Sequence, residues 1–236
     1  MIKNPKLKIK NLKMRVAFLG TPEIGASILC SLLDMGINIE AVITKPNKKA
    51  GRGKKEIESA CKYQARTRNI KTFQPKTKDE LTAIIKKLKP DLCIVAAYGV
   101  IIPDKALNVP KYGMINFHPS LLPKYRGPAP ITDAILNGDK ETGVSIIKIS
   151  SEMDAGDILD QKRITLKGTE EYSELADKLT EIGSKMIARL IPKIINNQVE
   201  SIPQNKKNAT FTKIVRKEDG KIDWQNMTPE QIERMS

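Results

Sequence analysis

Asn116 and His118 stand two residues apart in "GMINFHPSLLPKYRGPAPI" (113–131), and His118 is the only histidine among 236 residues. Residues two apart in a β-strand point to the same face. An asparagine amide donates hydrogen bonds, and an imidazole donates or carries charge near neutral pH. Two such donors converging at a strand end suit an oxyanion that develops during acyl transfer. Pro119 has no amide hydrogen and ends the strand, so the residues after it form a loop. A lone histidine is as often structural as catalytic. The asparagine beside it and the strand-end position turn this one toward catalysis.

Such a pair needs an acidic partner, and "SSEMDAGDIL" offers Asp154 and Asp157 directly after the strand-like "GVSIIKIS". A carboxylate in a tight loop there can orient an imidazole, favour its charged form and assist proton removal. Asp154 is the candidate, and Asp157 is expected to cap a turn. A serine hydrolase built on Ser120, His118 and Asp154 fits poorly. Ser120 is too near His118 in sequence, and the chain has no G-x-S-x-G elbow. Cys30, Cys61 and Cys93 are widely scattered with no CxxC pair. With a single histidine they do not make a zinc site, and an odd count argues against a disulfide framework. No metal is expected, and a reducing, cytoplasmic compartment is.

Charge points to a partner. The net charge is +14, of which residues 1–13 supply +5 and residues 45–71 supply +8. The second stretch, "KPNKKAGRGKKEIESACKYQARTRNIK", holds ten basic and two acidic side chains. An excess concentrated in one loop region suits phosphate contact more than general solubility. Tyr63 is its one aromatic residue, so base stacking is not indicated. A plain RNA-binding module would account for the charge but would leave Asn116, His118 and Asp154 without a role. Residues 1–13 lack the apolar core of a secretory signal. They are expected to be a disordered basic tail, or a start called too early with Met14 as the true one. No apolar run reaches the length of a membrane helix.

The elements that must position these groups follow from periodicity. "RVAFLG" (15–20) reads as a buried parallel strand, and "TPEIGASILCSLLDMG" as a helix with Thr21 as N-cap. Further strands are expected at "INIEAVITK", "KTFQP", "PDLCIVAAYG", 113–118, "GVSIIKIS" and "ILDQKRITL". Helices are expected over 57–68, "KDELTAIIKKLK", "APITDAILNG" and 170–197, the last broken or kinked near Pro192. This alternation predicts an α/β, Rossmann-like fold with a mostly parallel sheet and helices on both faces. In such sheets ligands bind at the C-terminal strand edge, where His118 would lie. "GTPEIG" lacks the middle glycine of a dinucleotide fingerprint, and "GRGKK" lacks the spacer of a phosphate loop. A nucleotide cofactor is therefore disfavoured. From Pro203 the chain turns polar, basic and turn-rich, which reads as a linker.

"GMINFHPSLLPKYRGPAPI" followed by "MDAGDI" resembles the folate-dependent formyltransferase family. The resemblance spans Met14 to Trp224 without large gaps. It implies transfer of a formyl group from 10-formyltetrahydrofolate, as co-substrate, to an amine. Asn116, His118 and Asp154 would be catalytic, and Ser120, Leu121, Leu122 and Pro123 would form the folate loop. "VAFLGTPE", "KPNKKAGRGKK", "AAYGVIIP" and "KEDGKIDW" are most similar to the branch acting on initiator Met-tRNA, in which Arg52, Lys54 and Lys55 would approach the tRNA. The alternatives are relatives that formylate a sugar nucleotide or glycinamide ribonucleotide, or that hydrolyse the formyl-folate. A small substrate needs neither the basic loop nor "KEDGKIDW". The resemblance implies a monomer with a catalytic domain over 14–200. Residues 201–236 would then be a linker and the start of a truncated C-terminal β domain.

Overall fold

The structure, a computed structural model, describes residues 14–50 and 55–235. The expected tail at 1–13 lies outside them. The chain begins with β1 (Val16–Gly20), α1 (Glu23–Asp34) and β2 (Ile39–Ile43). A small hairpin of β3 (Lys48–Ala50) and β4 (Lys55–Ile57) follows, then α2 (Ala60–Thr67), β5 (Lys71–Phe73) and α3 (Lys78–Leu88). Next come β6 (Leu92–Ala96), the short α4 (Asp104–Leu107), β7 (Met114–His118) and α5 (Pro130–Leu136). The edge strands β8 (Glu141–Lys148) and β9 (Ile158–Thr165) precede α6 (Tyr172–Ile195) and, near the end, α7 (Pro229–Glu233).

One seven-stranded sheet runs in the order β5-β2-β1-β6-β7-β8-β9. Pairing is parallel from β5 through β7 and antiparallel for β8 and β9. The central strands read as apolar runs because both faces of the sheet are covered. On β1, Val16 and Phe18 face a layer with Ile28, Leu29, Leu32, Leu179 and Ile187 of α1 and α6. Ala17 and Leu19 face the opposite layer, with Leu81 and Ile85 of α3. Fully burying each such aliphatic side chain contributes about 1.5–3 kcal/mol. This burial fixes the strand register that places Asn116 and His118.

Three local expectations change. Thr21 does not cap α1: Pro22 holds that position, and the Thr21 hydroxyl donates to the Tyr98 carbonyl at 2.9 Å. That bond ties the loops after β1 and β6, on either side of the point where strand order reverses. The glycines of "GTPEIG" serve packing, since a Cβ on Gly25 would stand 2.7 Å from the Ala96 carbonyl. Residues 55–57 belong to the β3–β4 hairpin, and α2 starts at Ala60 behind its Ser59 cap. Finally, α6 runs through Pro192 to Ile195 as one helix. The proline lies within the last turn, so the amide bond it forgoes to the Ala188 carbonyl is near the helix end.

Candidate active site

Asn116 and His118 end β7, between β6 and the antiparallel β8. The Asn116 side chain is half-buried and His118 is 3% exposed. His118 Nε2 lies 2.8 Å from the Tyr125 carbonyl. A carbonyl oxygen only accepts, so Nε2 carries a proton and donates it there. Nδ1 is then the ring atom that faces Asp154, 3.7 Å from Oδ2. A neutral ring presents a lone pair at Nδ1 and becomes a second donor only when protonated. The expected pair of donors therefore depends on the charge of the ring.

Asp154 reaches this position from the β8–β9 loop. Its Oδ1 accepts from Asn116 Nδ2 at 3.4 Å, and its Oδ2 from the Gly127 amide at 2.9 Å. Asp154 has φ +50°, a left-handed backbone that aspartate tolerates better than most residues. Gly156 lets the loop lie flat on β8, where any Cβ would collide with the Lys148 carbonyl. Asp157 contributes its carbonyl, which accepts from the Lys148 amide at 2.9 Å. Asn116, His118 and Asp154 are thus brought together at the C-terminal edge of β7. They come from two segments, β7 and the β8–β9 loop, each held by backbone bonds.

The loop 120–123, expected to be the folate loop, is folded inward through its own bonds. Ser120 is 0% exposed and its hydroxyl donates to the Lys124 carbonyl at 2.7 Å. Leu122 is 3% exposed, and its amide donates to Ser145 Oγ at 3.1 Å. Ser145 Oγ in turn donates to the Ser120 carbonyl at 2.7 Å and accepts from Gln161 Nε2 at 2.8 Å. Leu121 packs toward Gly143 on β8, and Pro123 is half-buried. The Ser120 and Leu122 side chains are consumed in folding the loop onto β8 and β9. That folding carries Tyr125 and Gly127 to His118 and Asp154.

Of the basic-loop candidates, Arg52 and Lys54 lie outside the described residues, and Lys55 pairs with Ala50 in the hairpin. The base of the hairpin is clamped. Lys62 Nζ donates to Asn47 Oδ1 at 3.1 Å and to Gln74 Oε1 at 2.7 Å. Gln74 Nε2 donates to the Lys45 carbonyl at 2.8 Å. Arg66 pairs with Glu58 at 2.8 Å. Lys62 and Arg66, counted in the basic excess, are therefore engaged within the protein. Burial, followed by the nearby Lys48, holds the Lys45 amine below the ordinary lysine range.

Sequence reasoning missed the residues that fasten the site. The Tyr125 carbonyl and the Gly127 amide stand in the quoted stretch, and Gly127 has φ +116°, a conformation that favours glycine. The stretch after α6, read as a linker, is bonded across both site loops. Ile202 and Ile158 exchange two backbone bonds of 2.9 Å. Thr210 Oγ1 accepts from the Tyr125 amide at 2.8 Å, and Thr212 Oγ1 from the Ala129 amide at 3.0 Å. Gln204 donates to the carbonyls of Asp154 and Gly156. Among the described residues, no three His, Cys, Asp or Glu side chains cluster so as to hold a metal ion.

Comparison with known proteins gives a consistent result. Residues 14–191 match the family described as formyl transferase. The methionyl-tRNA formyltransferase of Sulfurihydrogenibium sp. (strain YO3AOP1) is 40% identical over 220 residues, covering 92% of this chain and 71% of that protein. The methionyl-tRNA formyltransferase of Mesoplasma florum is 41% identical over 217 residues, covering 92% and 69%. Among solved structures, the N-formyltransferase of Helicobacter canadensis with folinic acid and dTDP-3-aminofucose superposes with TM-score 0.68 at 22% identity, covering 94% of this chain and 79% of that one. A 4-N formyltransferase of Francisella tularensis gives TM-score 0.71 at 18% identity, covering 94% and 86%. At such identities these two structures speak for the fold alone.

Proposed function

This chain belongs to the formyl transferase family, and from that premise we propose that it transfers the formyl group of 10-formyltetrahydrofolate to the α-amine of methionine on initiator tRNA. The observation that carries the chemistry is the convergence of Asn116, His118 and Asp154 at one strand end. For the substrate, the support is that relatives about 40% identical along about nine-tenths of the chain are methionyl-tRNA formyltransferases. The basic hairpin fits a polyphosphate partner, whose binding depends on counterion release. Arg52, Lys54 and Lys55 are the residues we assign to it.

The roles follow from the geometry. The neutral α-amine attacks the formyl carbon, forming a C–N bond and a tetrahedral oxyanion. Asn116 Nδ2 has two hydrogens; one meets Asp154 and the other is available to the oxyanion. His118, when charged, adds a donor at Nδ1. Asp154 takes up the ammonium proton, directly or through a bridging water. Collapse of the intermediate breaks the bond to N10 of the folate, which takes that proton from Asp154, directly or through the water, and leaves as tetrahydrofolate. Val100, Ile101 and Met153 expose apolar surface on the loops after β6 and β8. We assign them to the flat folate ring, beside the loop of Ser120, Leu121, Leu122 and Pro123. Leu121 and Pro123 then act through the shape of their loop.

The test is direct. Purified protein given 10-formyltetrahydrofolate and Met-tRNA is expected to produce formyl-Met-tRNA. Formylation of a sugar nucleotide amine with none on tRNA would refute the substrate assignment while leaving formyl transfer intact.

A further inference from the structure

Gln204 lies outside the family match, which covers residues 14–191, yet it grips the loop that carries Asp154. Its Nε2 donates to the Asp154 carbonyl at 2.8 Å and to the Gly156 carbonyl at 2.7 Å. Its Oε1 accepts from Arg126 Nε at 3.1 Å and Nη2 at 2.8 Å. Arg126 is 4% exposed and directly precedes Gly127, whose amide holds Asp154 Oδ2. One side chain thus brackets both loops that meet at the carboxylate.

A bracket is needed here for a physical reason. Asp154 has φ +50°, and a residue other than glycine keeps such a backbone only where its surroundings hold it. The loop has its own bonds to β8, but Gln204 bonds the carbonyl of Asp154 itself. The segment carrying Gln204 is anchored on both sides, by Ile202 to Ile158 and by Thr212 to Arg126. We infer that Gln204 is a positioning residue that holds the Asp154 carboxylate against Asn116 and His118. The catalytic unit accordingly extends through Thr212. The kinetic consequence rests on the formyl-transfer reading above; the spectroscopic one does not.

The sole histidine makes the test clean, because the protein has one imidazole ring and its Hε1 resonance belongs to His118. Gln204→Ala removes the bracket. Gln204→Glu keeps an acceptor for Arg126 but loses both donated hydrogens. In each variant the ring resonance is expected to move from its wild-type position in the direction seen in Asp154→Asn, with melting temperature little changed. In turnover, kcat is expected to fall about ten- to a hundred-fold with both KM values nearly constant, as for a misplaced catalytic group. A wild-type ring resonance in folded Gln204→Ala would overturn the proposal. A loss expressed entirely in KM would do the same. If wild-type protein fails to formylate Met-tRNA while the resonance moves as expected, the substrate reading falls and the positioning role stands.

Discussion

His118 donates its Nε2 proton to the Tyr125 carbonyl at 2.8 Å, which turns Nδ1 toward Asp154 Oδ2 at 3.7 Å. The backbone of the loop after β7 thereby selects the working nitrogen of the imidazole. The same loop supplies the Gly127 amide to the carboxylate, so ring and acid are oriented by one stretch of chain.

His118→Ala is expected to lower kcat by about 10²–10³, the usual loss of one oxyanion donor. KM for the folate should change little, because this donor acts mainly on charge that develops in the transition state. Single-turnover formylation at saturating substrate measures it. An unchanged kcat would remove His118 from the chemistry.

Arg52→Ala is expected to weaken tRNA use while leaving folate binding intact. If Arg52 neutralises one phosphate, the slope of log affinity against log salt should become shallower by about one. Titration of tRNA at two or more salt concentrations reads this. An equal fall in folate affinity would show that the basic hairpin has another role.

Gly25→Ala should destabilise the fold without touching the site. The added Cβ would lie 2.7 Å from the Ala96 carbonyl, and relief requires α1 to move away from β6. Overpacking of this kind costs about 1–3 kcal/mol. Urea denaturation gives the value, and a wild-type midpoint would mean that α1 shifts at no cost.

Burial pushes the Cys61 thiol up to about 12 from an ordinary 9.0, with Cys30 and Glu23 adding to the rise. Cys93 also rises to about 12 through burial, and Tyr98 rises from 10.0 to about 12 for the same reason. In the native state Cys61 and Cys93 should therefore resist thiol reagents at pH 8, with Cys30 reacting first. These groups ionise earlier in the unfolded chain, so their contribution to stability is complete below pH 9. It is lost as pH rises from about 9 to 12. Denaturant midpoints should fall across that window, and a flat profile would contradict the burial.

The chemistry was legible because it rests on short-range sequence. Asn116 and His118 share a face through the two-residue period of a strand, and Pro119 marks where that strand stops. Asp154 follows another strand directly. The doubly wound order was readable because apolar runs alternate with amphipathic helices. The β3–β4 hairpin was not, since each strand has three residues and no apolar periodicity. The inward turn of the Ser120 and Leu122 side chains was not legible for a related reason: the sequence marks their loop as distinctive without saying which way its side chains face.

From the sequence alone came the candidate groups Asn116, His118 and Asp154, the strand that presents two of them and the charge of the basic stretch. These depend on residue type and local period. Tertiary structure decided the rest: which imidazole nitrogen faces Asp154, how Asp154 is held, and that the stretch from 202 to 212 closes over the site. Each of those rests on hydrogen bonds that form only once the chain has folded. Gln204 meets Asp154 fifty residues away, and His118 is oriented by a carbonyl that any residue at position 125 would carry. Backbone groups leave no trace in residue identity, so only the folded chain reveals them.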